Sequence, residues 1–274
     1  MPKILYDVSL GGVSIHSLAD EIIVRDIVEK PAKMDMQTSK RALHAGTRVA
    51  NHIRRSLSVD VVYVIRTEDS ERRAEIAGLI AGWVGSGGWL EISTRPGKRL
   101  YVRPSDNPSL GSSLRWTEDI TMTLTAYEQP YWEDKEDVQV AMDVTWSDNQ
   151  NTYFGANVIK PNGNVDRVPG RLMLTNTSDE IPITHVKIVA DKTFIELENI
   201  QIGPGGMLAS MLLIDYDDYD VLTIEDLMGD KSLMGNRTAE SSDDLLVRCG
   251  KNNQLYVYAD GPCQVFFYTK GRWL

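Results

Sequence analysis

The stretch "SLSVDVVYVIRTEDSERRAEIAGLIAGWVGSGGWLEISTRPGKRLYVRP", residues 56–104, decides the fold. Its first ten residues, Ser56 to Ile65, form a nearly continuous β-branched and apolar run, which reads as a strand buried on both faces. The next segment changes period. Ile76, Leu79, Ile80, Trp83 and Val84 fall at i, i+3, i+4, i+7 and i+8, the apolar stripe of one amphipathic helix. Thr67 or Ser70 is placed to cap it, Glu68, Asp69 and Glu71 sit at the positive end of the helix dipole, and Gly85 or Gly87 ends it. Trp83, in mid-stripe, is expected to be buried against the strand over residues 61–65. A hairpin follows, "WLEIST" and "RLYVRP", with Pro96-Gly97 suited to a type II turn.

Outward from this core the pattern is almost entirely β. Upstream, "KILYDV" and "EIIVRDIVEK" read as strands separated by the punctuating "LGG". Downstream, "DITMTLTAYEQPYW" alternates strictly at Ile120, Met122, Leu124 and Ala126. Pro130 and the charged run from Glu133 to Asp137 form a junction, giving domains at residues 1–130 and 131–274. Beyond it, "VQVAMDVTW", "RLMLTN", "HVKIVA", "TFIELENIQI", "MLASMLLIDY", "DLLVRC", "QLYVYAD" and "CQVFFYT" are strands separated by turns such as "PNGN" and "ADGP". Short strands at near-regular spacing indicate an antiparallel sandwich. Residues 229–244 read as a mobile loop. The fold class is therefore mostly β in two domains, with one helix and one hairpin in the first.

Charge divides along the same line. Residues 1–130 carry 17 Lys and Arg against 16 Asp and Glu, whereas residues 131–274 carry 12 against 23. The acidic half gains nothing from counterion release, so nucleic-acid binding is disfavoured. No apolar run is long enough to span a membrane, and no basic-then-apolar leader is visible. The two cysteines, Cys249 and Cys263, are too few for a disulfide scaffold and read as a buried, unpaired pair in a protein folded in a reducing cytoplasm.

Chemistry is sparse. The histidines, His16, His44, His52 and His185, show no zinc-protease spacing, and there is no G-x-S-x-G elbow or phosphate loop. "IDYDDYDVL", residues 214–222, supplies Asp215, Asp217, Asp218 and Asp220. An EF-hand would need glycine at the sixth place and Glu at the twelfth, and the twelfth residue is Asp226. The stretch reads as a strand ending in a solvated acidic turn, with a loop calcium site of another kind as the alternative. No catalytic residue, cofactor or metal site is expected. Trp132, Trp146, Tyr153 and Tyr256 could line a sugar-binding face, with core packing as the competing role.

The order of elements resembles that of siphophage distal tail proteins, the Dit family. "GVSIHSLADEIIVRDIVEK", "LHAGTRVANHIRRSLSVDVVYVI", the "EDSERRAEIAGLIAGWV" helix and the "RPGKRLYV" hairpin resemble the family's N-terminal half. There a glycine-marked loop, here around Gly46, leads through a basic segment into a long strand; the family often has Asp before that glycine, where this chain has Ala45. "LLID", "DLLVRCGKNNQLYVYADG" and "VFFYTKGRWL" resemble the family's C-terminal, galectin-like sandwich. The resemblance implies a non-enzymatic virion component at the tail tip, a hub or baseplate protein. It implies six copies in a ring through the N-terminal, sandwich-like domain, joining the tail tube protein to a tail-tip hub protein and to receptor-binding or baseplate proteins. It also implies a galectin-like domain at 131–274. Independently, the apolar pair Trp273 and Leu274 after Gly271 is expected to be packed, with residues 270–274 either returning to the N-terminal domain or forming a last strand of the C-terminal sandwich. A glycan-binding module or adhesin using the galectin-like sandwich is the alternative.

Overall fold

The computed structural model describes residues 6–32, 34–40, 47–105, 118–144, 153–203, 211–215, 222–226 and 231–274. It is mostly β, with several antiparallel sheets and one α-helix. Two compact units divide it: Met1–Lys135 together with Leu274, and Glu136–Trp273.

In the first unit the elements are β1 (Val8–Leu10), β2 (Val13–Ser14), β3 (Ile22–Lys30), β4 (Met34–Lys40), β5 (Thr47–Arg54), β6 (Leu57–Ile65), α1 (Ser70–Gly85), β7 (Gly88–Ile92), β8 (Lys98–Pro104), β9 (Ile120–Ala126) and β10 (Trp132–Asp134). The main sheet runs β2-β1-β7-β8-β9-β6-β3, β10 pairs with β8, and β4 pairs with β5 as a separate ribbon. Strand β6 alternates over most of its length: Leu57, Val59, Val61 and Tyr63 are buried and Ser58, Asp60 and Val62 half-buried, before Val64 and Ile65 close it fully buried. Burial on both faces therefore holds only at its end. A sheet with one face on the core gives this pattern, and Val62 belongs to the other face. The alternation of β9 is as the sequence indicates, with Ile120, Met122, Leu124 and Ala126 all buried.

Helix α1 spans the expected stretch, but its N-cap is Asp69, whose side chain accepts from the Glu71 amide at 2.9 Å. Thr67 Oγ1 instead receives the Asp69 amide, one step outside the cap. The buried stripe is Ile76, Ala77, Ile80 and Val84, whereas Leu79 is exposed and Trp83 only half-buried. Ile76, Ile80 and Val84 keep their expected burial, while Ala77 takes the flank expected for Leu79, so the stripe is shifted toward the Ala77 side. After α1, Pro96-Gly97 makes the turn between β7 and β8. Gly97 takes φ +77°, the third-position value of a type II turn, and the Lys98 amide donates back to the Arg95 carbonyl.

The second unit contains β11 (Val138–Val144), β12 (Tyr153–Ile159), β13 (Arg167–Asn176), β14 (Val186–Ala190), β15 (Thr193–Leu197), β16 (Met211–Asp215), β17 (Thr223–Asp226), β18 (Lys231–Ser232), β19 (Leu246–Arg248), β20 (Asn253–Ala259), β21 (Cys263–Thr269) and β22 (Arg272–Trp273). One sheet runs β11-β21-β13-β16-β17-β18, with β19 paired to β13, and a second runs β12-β20-β14-β15. All eight strands read from the sequence of this half are present. The core lies between the sheets, built from alternate residues such as Leu172 and Leu174 of β13, Val265 and Phe267 of β21, Ile188 of β14, Ile195 of β15 and Val257 of β20. Burying one face of each sheet is what orders so many short strands.

Residues 231–244 are not a free loop. The Thr238 amide donates to the Glu196 carbonyl, the Ser242 amide to that of Phe194, and Ser241 Oγ accepts from the Glu196 amide. The segment covers the outer edge of β15 and satisfies backbone groups that an edge strand would leave unpaired.

Candidate functional site

The side chains that could act on a ligand lie on the outer face of the β14–β15 hairpin. Val186 pairs with Leu197 and Lys187 with Glu196, so one step along His185 stands opposite Glu198. Val186, Ile188, Ile195 and Leu197 point into the core. The two-residue period therefore turns His185, Lys187, Glu196 and Glu198 to the other face together.

There His185 Nε2 lies 3.1 Å from Glu196 Oε1, and Lys187 Nζ donates to Glu196 Oε2 at 2.9 Å. The Lys187 ammonium also sits 4.7 Å from the centre of the Phe194 ring, a cation–π contact. Burial pushes the Glu196 carboxyl up, but the hydrogen bonds from Lys187 and His185 outweigh it and leave the pKa below the ordinary glutamate value. Donor atoms of His185, Glu196 and Glu198 lie within 4.8 Å of one another, the one such group of three among the described residues.

The remaining sequence candidates are scattered. Trp132 is fully buried in the first unit with the Arg95 guanidinium 5.4 Å from its ring, so it cannot stack on a sugar. Its burial is unsurprising for an aromatic on a strand whose neighbour, Glu133, pairs with Arg99 at 2.8 Å. Tyr256 is half-buried on β20 and its hydroxyl donates to Gln254 Oε1. Tyr153 begins β12, and Trp146 lies outside the described residues. Asp215 ends β16 and Asp226 ends β17, while Asp217, Asp218 and Asp220 lie outside the described residues, as do His44, Ala45 and Gly46. His52 lies on β5.

His16 joins backbone to backbone: Nδ1 is 3.1 Å from the Ile22 carbonyl and Nε2 3.0 Å from that of Tyr6. Neither His16 nor His185 is hydrogen-bonded to a hydroxyl or thiol, the contact that a histidine-activated nucleophile requires. Cys249 and Cys263 are both buried and neither is in a disulfide; burial, reinforced by Asp260, pushes the Cys263 thiol up to about 12. A shallow pocket of about 180 Å³ beside the β7–β8 turn is lined by charged and small polar groups, among them Asp7, Glu91, Arg95 and Lys98. Sequence reasoning missed the His185–Glu196–Glu198 group because its members come together only through hairpin register; "HVKIVA" and "TFIELE" each show alternation, but not which residues stand opposite one another.

No family model matches the chain, and no curated protein matches it. Among solved structures, the chain is similar to the Dit protein of phage SPP1, a hub of the adsorption apparatus in phages infecting Gram-positive bacteria. The TM-score is 0.67 at 13% identity, covering 97% of this chain and 99% of that one. It also matches the phage P2 baseplate in its activated conformation, with Ca and with Sr, each at a TM-score of 0.47 and 10% identity over 97% of both chains. At such identity the shared property is the fold: this chain has a Dit-like fold, matched to the SPP1 protein over 97% of its length.

Proposed function

We propose that this chain is a distal tail protein of a siphophage, a structural hub at the tail tip with no catalytic role. The observation that carries the reading is the end-to-end match to the SPP1 Dit hub, which covers 97% of one chain and 99% of the other and so is not confined to one module. A sandwich could recur in many proteins, whereas two β-rich units in this order with one helix and one hairpin between strands is a much narrower coincidence. In this reading the N-terminal domain, residues 1–130, closes six copies into a ring, the usual outcome of a head-to-tail contact whose rotation closes. The ring joins the tail tube protein to a tail-tip hub protein, and the galectin-like domain, residues 131–274, reaches toward receptor-binding or baseplate proteins. The acidic balance of that half suits a basic partner surface.

The test is particle mass. Native mass spectrometry and sedimentation velocity on the full chain are expected to show a species at six times the 30.7 kDa chain mass. A strict monomer at every accessible concentration, with no ring in negative-stain images, counts against the assembly. The adhesin alternative has lost Trp132 as an exposed platform; a glycan array showing selective binding would restore it.

A further inference from the structure

We propose that His185, Glu196 and Glu198 form a surface site for a divalent transition metal ion, with Zn2+ the best match. The donors are one imidazole nitrogen and two carboxylates, a mixed N and O set of the kind zinc accepts. Calcium takes six to eight oxygen ligands, so a set of three donors that includes an imidazole nitrogen suits it poorly. Spacing supports the choice. In a tetrahedral site with bonds of about 2.0–2.2 Å, neighbouring donor atoms stand about 3.3–3.5 Å apart. His185 Nε2 and Glu196 Oε1 are already 3.1 Å apart, and the Glu198 carboxylate lies within 4.8 Å of both. Glu198 is exposed, so its side chain can close that last distance by rotation without disturbing the core. Water would complete the coordination.

The backbone under each donor is held. The Asp260 amide donates to the His185 carbonyl, and the Asp260 carboxylate accepts from the Thr184 amide at 2.8 Å. Across the hairpin, the Glu198 amide donates to the Asn236 carbonyl, while Asn236 Nδ2 donates to the carbonyls of Glu198 and Asn199 at 3.1 and 2.9 Å. These bonds fix the backbone from which the donor side chains project.

The competing role is a plain ion cluster, with Lys187 neutralising Glu196. Lys187, however, occupies only Oε2, and Oε1 faces the histidine. A carboxylate bound to metal through one oxygen and to a donor through the other is an ordinary arrangement. The ammonium charge still opposes a second cation nearby, so affinity should be modest and should improve when that charge is removed.

The experiment uses the full chain, free of affinity tags, stripped with a chelator and then titrated calorimetrically with ZnCl2 at neutral pH. One Zn2+ per chain is expected, with a rise in melting temperature. Glu198→Gln, at an exposed position that cannot compromise folding, and His185→Ala are each expected to weaken binding on the order of tenfold or more. Lys187→Met should bind more tightly than the unmodified chain, and CaCl2 should give no matching heat. Zinc binding that is absent, or that persists unchanged in Glu198→Gln and His185→Ala, overturns the site. Tighter binding of Ca2+ than of Zn2+ overturns the metal.

Discussion

Trp83 Nε1 donates to the carbonyl of Val13 at 3.0 Å, tying the C-terminal half of α1 to β2 across seventy positions of chain. The indole is half-buried, so the bond lies at the rim of the core and not inside it. A fully buried tryptophan would cost about 3–5 kcal/mol on truncation to alanine. Here roughly half of that burial is at stake together with one neutral hydrogen bond, so Trp83→Ala should cost about 2 kcal/mol. Trp83→Phe, which keeps a ring and loses the donor, should cost about 1 kcal/mol. Calorimetric melting of both variants checks the order; a Phe variant as damaged as the Ala variant would show that the hydrogen bond, not the ring, holds the helix.

Trp132 behaves differently. It has no exposed surface, and the Arg95 guanidinium lies over its ring while also reaching Glu29 at 2.8 Å. Trp132→Ala should therefore fall in the range of about 3–5 kcal/mol that Trp83 does not reach. The effect should appear in the transition of the first unit. If Trp132→Ala melts like the unmodified chain while a sugar ligand loses affinity, the residue is exposed in solution and the burial is wrong.

These two tryptophans mark how far the sequence can be read. Period alone locates α1, β6, β9 and the strands of the second half, because each buries one face and the burial imposes the period. It does not locate what depends on facing elements. Which flank of the α1 stripe is buried, Ala77 and not Leu79, depends on the surface the helix meets, information that no single-helix pattern contains. Strand β10 pairs with β8 through Glu133 and Asp134, and Trp132 beside them is buried, although a strand that runs from two residues after a proline into a charged run hardly registers as one. Residues 231–244 look mobile since they are polar and rich in turn formers, yet those same serine and asparagine side chains bond the edge of β15. The His185–Glu196–Glu198 group is invisible for the same reason: it exists only in the register between two strands.

Acid should act on the second unit through Glu196. Its folded pKa lies below the ordinary glutamate value, since the bonds from Lys187 and His185 outweigh the effect of burial. A carboxylate with a depressed folded pKa stabilises the fold fully above its unfolded pKa. That contribution disappears as pH falls through the folded pKa. With metal chelated, Glu196→Gln should melt earlier than the unmodified chain at neutral pH, by an amount worth about 1 kcal/mol. The gap should close as pH drops below the ordinary glutamate range. A gap that stays constant or widens in acid would mean that the ion cluster contributes nothing and that the loss comes from packing.

Gly163 is where the C-terminal strand is most exposed to a small change. Its φ is +118°, and a Cβ added there would stand 2.0 Å from the Arg272 carbonyl oxygen and 2.7 Å from Cys249 Sγ. That same carbonyl accepts from the amides of Asn164 and Val165, and Arg272 is itself buried. An alanine methyl thus meets fixed backbone, and relief requires β22 to move away from residues 163–165, breaking both bonds. Backbone strain of about 1–3 kcal/mol adds to overpacking of about 1–3 kcal/mol, so Gly163→Ala should destabilise the second unit by about 2–6 kcal/mol. Gly235→Ala is the control in the same unit: its φ lies outside the left-handed region, a Cβ there meets nothing within 4 Å, and the change should stay within about 0.5 kcal/mol. Differential scanning calorimetry of the two variants reads the difference directly, with the transition of the first unit as an internal reference. Equal melting of Gly163→Ala and Gly235→Ala would show that β22 yields freely, and that the close approach at Gly163 does not hold the chain terminus in place.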